Sequence, residues 1–251
     1  MFNYEDVLSS LDSIYDDGKL FSLTINMVAK TLSSKRGLSN GSIYRHVSTV
    51  NDFYVLLFNR NLVRWGVIAN SYGLSDELNP KEKLISRLVF TSNKRIYSHI
   101  DNDIQYYIAA SGLMNSADHQ FIYDTDLIYK NLHKSNAGVI QSLLDRKLVT
   151  SNVDEVFMMI RQMKMYERGY SLIEHNKNIN MGNEDIKVIL LTRLTKMINE
   201  LDWVVHFDVD FDKIINFCDK SSIEIMTNTN YTEEIQKLRN LNAAFNLINE
   251  H

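Results

Sequence analysis

GLSNGSIYRHV at residues 37–47, read together with LTINMVAKTL at 23–32, decides how this chain folds. Ile25, Val28, Ala29 and Leu32 fall at i, i+3, i+4 and i+7, which makes one apolar face of a helix. Thr24 stands just before that face, where a hydroxyl caps the orphan N–H groups of a helix start. Gly37 and Leu38 then break the pattern and redirect the chain. Ser39 is positioned to cap a second, short helix in which Ile43 and Val47 point inward at i and i+4. Asn40, Gly41, Ser42, Tyr44, Arg45 and His46 are left as an outer rim. Two readings fit this pattern. One is an ordinary helical hairpin packed into a core. The other is a helix-turn-helix whose small polar groups reach base edges in a major groove while Tyr44, Arg45 and His46 hold phosphates.

Charge separates the two readings. The chain is acidic overall, with a formal net charge of −4. From Lys19 to Arg64, however, seven basic residues (Lys19, Lys30, Lys35, Arg36, Arg45, Arg60 and Arg64) face a single acid, Asp52, a local balance of +6. Positive charge gathered around a candidate recognition helix is the footprint of a surface that neutralises phosphates and releases counterions. It favours double-stranded DNA as the partner.

The first 65 or so residues resemble the DNA-binding domain of TetR-family transcriptional regulators. An amphipathic first helix carries Val7, Leu8, Leu11, Ile14 and Tyr15, followed by Gly18 and the aromatic Phe21. Thr24-Ile25-Asn26-Met27-Val28-Ala29 is similar to the family's Thr-x-x-x-Ile-Ala. Gly37-Leu38-Ser39 and Gly41-Ser42-Ile43-Tyr44-Arg45-His46-Val47 resemble its Gly-Val-Ser and Gly-Thr-Leu-Tyr-x-His-Phe. Asp52-Phe53 then opens a long apolar helix (Phe53, Leu56, Leu57, Val63, Val67) like the family's connector. The spacing from Thr24 to Tyr44 is four residues longer than the family's, about one helical turn. The surplus lies near Thr31–Arg36 and either lengthens the second helix or enlarges the turn. Both options bring Lys35 and Arg36 beside the DNA backbone. Where the family commonly has a phosphate-binding lysine, this chain has Val50, with Thr49 and Arg45 as substitutes.

The resemblance implies an all-α protein with a three-helix DNA-binding domain over 1–66. A long helix joins it to a larger helical ligand-binding and dimerisation domain over 67–251. It also implies a sequence-specific regulator, a ligand-responsive repressor acting as a homodimer on a palindromic operator. The DNA-contacting set is Thr24, Lys35, Arg36, Ser39, Asn40, Gly41, Ser42, Tyr44, Arg45, His46 and Thr49. The alternative is a degenerate relative that binds a small molecule or a partner protein without reading DNA.

Composition is compatible with both. The chain has 251 residues, enough for a small head and a larger core. One proline, Pro80, and nine glycines suit long uninterrupted helices. A lone cysteine, Cys218, precludes an internal disulfide. With no basic-then-apolar leader and no apolar run near the roughly 20 residues that span a bilayer, a cytoplasmic location away from the membrane is expected. Helical patterns cover about 80–98, 101–113, 122–149, 152–177, 184–205, 209–227 and 231–249. Between Trp203 and Phe211 the apolar residues alternate with His206, Asp208 and Asp210, a strand period that reads here as an extended joint.

Catalytic chemistry is sparse in this sequence. Asp208, Asp210 and Asp212 match the first positions of a calcium loop, but Lys213 and Asp219 stand where its glycine and chelating glutamate belong. They read as the acidic start of a helix. The histidines lack metal-ligand spacing, and neither a phosphate loop nor a nucleophile with a general base appears. No enzyme, metal or cofactor is expected. Val153, Phe157, Ile160 and Met163 form one apolar line, and Met159, Met163, Tyr166 and Tyr170 a second. A helix apolar on two faces needs two partners. A dimer contact shared with 209–227 would supply the second, and a ligand-pocket wall is the other use of the methionine and tyrosine face.

Overall fold

The computed structural model describes residues 4–16, 18, 22–36, 40–89, 103–108, 112–175 and 186–249, with the backbone alone described at some helical positions. The expected helical stretches at 90–102, 109–111 and 176–185 lie outside the described residues, as do Lys19, Phe21 and the turn at 37–39.

The chain is all-helical among the described residues. In order come α1 (Tyr4–Asp16), α2 (Ile25–Arg36), α3 (Asn40–Tyr44), α4 (Val50–Leu74), α5 (Pro80–Val89) and a short α6 at 103–108. A 3-10 turn (Leu113–Ser116), α7 (His119–Asp145), α8 (Val153–His175), α9 (Ile186–Ile198), α10 (Phe211–Asn228) and α11 (Tyr231–Asn249) follow. None of the described helices is long and apolar enough to cross a membrane.

Helix starts are written locally. Asn79 and Glu82 form a reciprocal capping box on α5: Asn79 N donates to Glu82 Oε2 at 2.9 Å, and Glu82 N to Asn79 Oδ1 at 3.0 Å. Asn152 and Glu155 do the same on α8, at 2.9 and 3.0 Å. Asp210 caps α10 by accepting from Lys213 N at 3.0 Å and Asp212 stands in its first turn, whereas Asp208 meets His206 Nε2 at 2.9 Å. Gly18, at φ +71°, donates to Tyr15 O and ends α1 in a left-handed conformation that suits glycine.

Two compact units result, and the boundary falls inside α4 between Gly66 and Val67. The first joins residues 1–66 with 98–131 and 229–251; the second holds 67–97 and 132–228. The three-helix head therefore packs with later segments of the chain.

In the first unit α1 packs on α2 and on α11. Its core includes Val7, Leu8, Leu11, Val28, Leu32, Ile43, Phe53, Leu56, Leu57 and Phe121. Every residue from Asp52 to Val63 is buried, so α4 is enclosed on all sides here and needs polar partners for its polar residues. Asn59 donates to Phe121 O at 2.9 Å and accepts from Thr125 Oγ1 at 2.7 Å. Tyr231 of α11 is buried against Tyr4, their rings edge to face at 6.5 Å. Arg239 grips the buried Asp124 with two bonds, Nε to Oδ1 at 2.8 Å and Nη2 to Oδ2 at 2.6 Å.

The second unit centres on α5, which packs on α8, α9 and α10. Tyr72 is fully buried, donates to Cys218 O at 3.2 Å and meets Phe217 edge to face. Cys218 itself is a buried thiol. The alternating stretch after Trp203 is an extended joint, held by one antiparallel bridge between Val149 and Trp203. Burial corrects one expectation on α8. Met163, read as common to two apolar lines of an interface, is fully enclosed within the chain's own core, together with Val156 and Met159. The large exposed apolar groups of this helix among the described residues are instead Val153, Met158 and Met165.

The Arg239–Asp124 pair closes α11 onto α7 within the first unit. Arg239→Ala is expected to lower the unfolding free energy by about 3 kcal/mol, because it leaves a buried carboxylate unpaired. The joint change Asp124→Leu with Arg239→Met should regain most of that loss. Urea denaturation measures both, and an Arg239→Ala protein as stable as the parent would mean that the pair contributes nothing to stability.

Candidate nucleic-acid interface

Thr24 does what its position suggests. Its Oγ1 accepts from Met27 N at 3.2 Å, three residues into α2. Val28, Ala29 and Leu32 are buried on one face of that helix, and Asn26, Lys30, Ser33 and Ser34 are exposed on the other. The helix continues to Arg36. The stretch Thr31–Arg36 is therefore helical, and Lys35 and Arg36 lie on the last turn of α2. Their side chains lie outside the described residues, as do those of Asn40 and Ser42 and the whole of Ser39.

The second helix is short, five residues from Asn40 to Tyr44. It is anchored by Ile43 and Val47, both buried, with His46 N and Val47 N still donating to Ile43 O at 2.9 and 3.0 Å. On the opposite side Gly41, Tyr44, Arg45, His46, Ser48 and Thr49 are exposed, Tyr44 to 50%. Arg45 Nε donates to Gly41 O at 3.3 Å, which folds the base of the guanidinium along its own helix. A bulky aromatic left this open next to a cation suits stacking or phosphate contact more than core packing.

What holds this rim is a residue seen in the sequence only as the opening of the connector. Asp52 is fully buried and its carboxylate accepts three backbone N–H groups. Oδ2 takes Ser48 N at 2.7 Å and Thr49 N at 2.8 Å; Oδ1 takes Asp118 N at 2.7 Å. The first two fix the turn that leaves α3 and enters α4. The third ties that turn to the start of α7. Thr49-x-x-Asp52 is the capping-box spacing, a signal that could have found this role.

The charge footprint is smaller than the sequence count. Arg60 is buried, 3% exposed, and its Nη1 meets Asp12 Oδ2 at 2.7 Å. Arg64 is half-buried. Of the seven basic residues Arg60 therefore serves the interior, where a guanidinium needs a partner once its stem is enclosed. The exposed cations among the described residues between positions 22 and 64 are Lys30 and Arg45. Val50 takes the first position of α4, and Thr49 beside it presents an exposed side chain. No His, Cys, Asp and Glu grouping able to hold a metal occurs among the described residues.

No family model, curated protein or solved structure matches the chain.

Asp52→Ala should destabilise the protein by about 2–4 kcal/mol, since three backbone donors lose a charged acceptor at once. Asp52→Asn should lose less, retaining one acceptor oxygen. Thermal denaturation orders the two variants; equal and negligible losses would mean the turn at 48–49 holds without this carboxylate.

Proposed function

We propose that the chain is a sequence-specific, double-stranded-DNA-binding transcriptional regulator of the TetR type, acting as a ligand-responsive homodimeric repressor. The observation that carries the reading is the exposed Tyr44-Arg45-His46 rim on a short helix anchored by Ile43 and Val47, preceded by the Thr24-capped α2. In a major groove Asn40 and Ser42 face base edges, and Tyr44, Arg45, His46 and Thr49 meet phosphates on either side. Lys35 and Arg36, at the end of the lengthened α2, add charge next to the backbone. Two heads related by a two-fold axis engage successive grooves about 34–36 Å apart. A ligand that lowers DNA affinity does so by binding the two spacings of the heads unequally.

The withdrawal of Arg60 into the interior favours a second reading, a helical module that binds a small molecule or partner without reading DNA. Selection of bound fragments from random DNA separates the two. With the selected operator, Asn40→Ala or Ser42→Ala should change sequence preference by about 1–3 kcal/mol for each base pair read. Lys35→Ala with Arg36→Ala should weaken all sequences alike and flatten the salt dependence of log affinity by about 0.9 for each phosphate no longer neutralised. Enrichment of no sequence at low salt would leave only the second reading.

The homodimer is expected to form through the second unit, where Met158 and Met165 of α8 and Ile223 of α10 are exposed. Met165 is 74% exposed, so a charge there leaves the core intact. In an isologous contact that charge appears twice. Sedimentation at micromolar concentration should give a dimer for the parent and a monomer for Met165→Glu. A monomeric parent would overturn the homodimer, and dimeric Met165→Glu and Ile223→Glu variants would move its interface elsewhere.

A further inference from the structure

Within the second unit, the end of α4, α5 and α7 line an open pocket of about 400 Å3, in the range of small-molecule sites. Its wall is largely apolar, with Leu74, Pro80, Val139 and Leu143 among the lining residues. Among the described residues its charged lining groups are cations, Lys83, Arg87 and Arg146, and no Asp or Glu lines it.

Arg87 is the unusual member. It is buried, 7% exposed, on the last turn of α5. Its Nη1 donates to Ala69 O at 2.8 Å, and its Nη2 to Ser135 Oγ at 3.2 Å and Asn136 Oδ1 at 2.8 Å. All three acceptors are neutral. Ser135 in turn donates to Asn70 Oδ1. A guanidinium has five N–H donors, so two are left without an acceptor among the described residues. Burial pushes its pKa down to about 10 with no carboxylate to oppose the shift, and the group is still charged at neutral pH. A Cβ on Gly73 would come to 3.0 Å from Nη1, so a larger residue there would press on the guanidinium.

A structural clamp between α4, α5 and α7 accounts for the three hydrogen bonds. It does not account for a buried cation that meets no carboxylate among the described residues, in an apolar pocket with two more cations on its lining. Enclosed charges in proteins are ordinarily paired, because desolvation costs several kcal/mol per ion. A ligand carboxylate would complete the pair, accepting one of the remaining N–H groups while its apolar body covers Leu74, Val139 and Leu143. We propose that this pocket binds a small amphipathic organic acid, whose carboxylate pairs with Arg87 and whose hydrocarbon part fills the apolar wall. Binding is independent of the DNA-binding reading; only a role for this acid as the effector rests on it.

Isothermal titration calorimetry on the full chain at fixed ionic strength tests the site, with octanoate, its neutral counterpart octanamide, and inorganic phosphate as probes. Octanoate should bind at least tenfold more tightly than octanamide and than phosphate. Affinity should rise about fourfold per methylene from butanoate to octanoate. Arg87→Met should abolish the preference for acid over amide. Gly138→Leu provides a variant that spares the fold: Gly138 lines the pocket, and a Cβ there meets nothing within 4 Å. Its side chain should fill the pocket and cut octanoate affinity at least tenfold while the melting temperature of the free protein is unchanged or raised. The proposal is overturned if none of the probes binds, if octanamide or phosphate binds as well as octanoate, or if folded Gly138→Leu retains parental affinity.

Discussion

A single buried carboxylate organises the first unit. Asp52 opens the stretch of α4, residues 52–63, that is enclosed on every side, where a carboxylate needs its oxygens fully used. Three backbone N–H groups use them: two in the turn leaving the candidate recognition helix and one at the start of α7. The angle at which the Tyr44-Arg45-His46 rim leaves the core is therefore set from inside the unit. Since Ile43 and Val47 are buried on the inner side of the same turn, the short α3, which is too short to be stable by itself, is held at its C-terminal end.

The second unit repeats the device with a different residue. Glu82 is also buried, caps Asn79, and reaches across to Asp210 N at 3.2 Å and Lys213 Nζ at 2.9 Å. In both units a carboxylate at the third position of a helix satisfies its own cap and then a second, distant helix start. Local capping and long-range assembly are thereby joined in one side chain, which is why these two acids are buried. Removing either would release two helix starts at once.

Arginines divide along similar lines. Arg60 and Arg239 meet carboxylates, Asp12 and Asp124 respectively. Arg87 meets only neutral acceptors, and it faces a pocket with room for an anion. Formal charge counts treat these three alike. Exposure and partner, which decide whether a guanidinium is a clamp, a solvated charge or a binding group, separate them.

Much of the frame is legible in the sequence because it is local. Thr24, Asn79, Asn152 and Asp210 announce helix starts, since a cap and its N–H partner lie within three residues. The inward face of α2 and the anchors Ile43 and Val47 follow from apolar period alone, and the extended joint after Trp203 from a strand period set between two helical patterns. Tertiary structure decided what depends on distance in space. Met163 looked available for a partner because periodicity identifies a face without saying what covers it, and the chain's own core covers it. Arg60 counted toward a basic surface until its helix proved to be enclosed. The pocket at Arg87 draws on residues 70–146, from helices whose separation in sequence gives no spacing to read. A sequence specifies which groups a helix carries and on which face. Only packing determines which of those faces meet protein, and so which charges are left to meet something else.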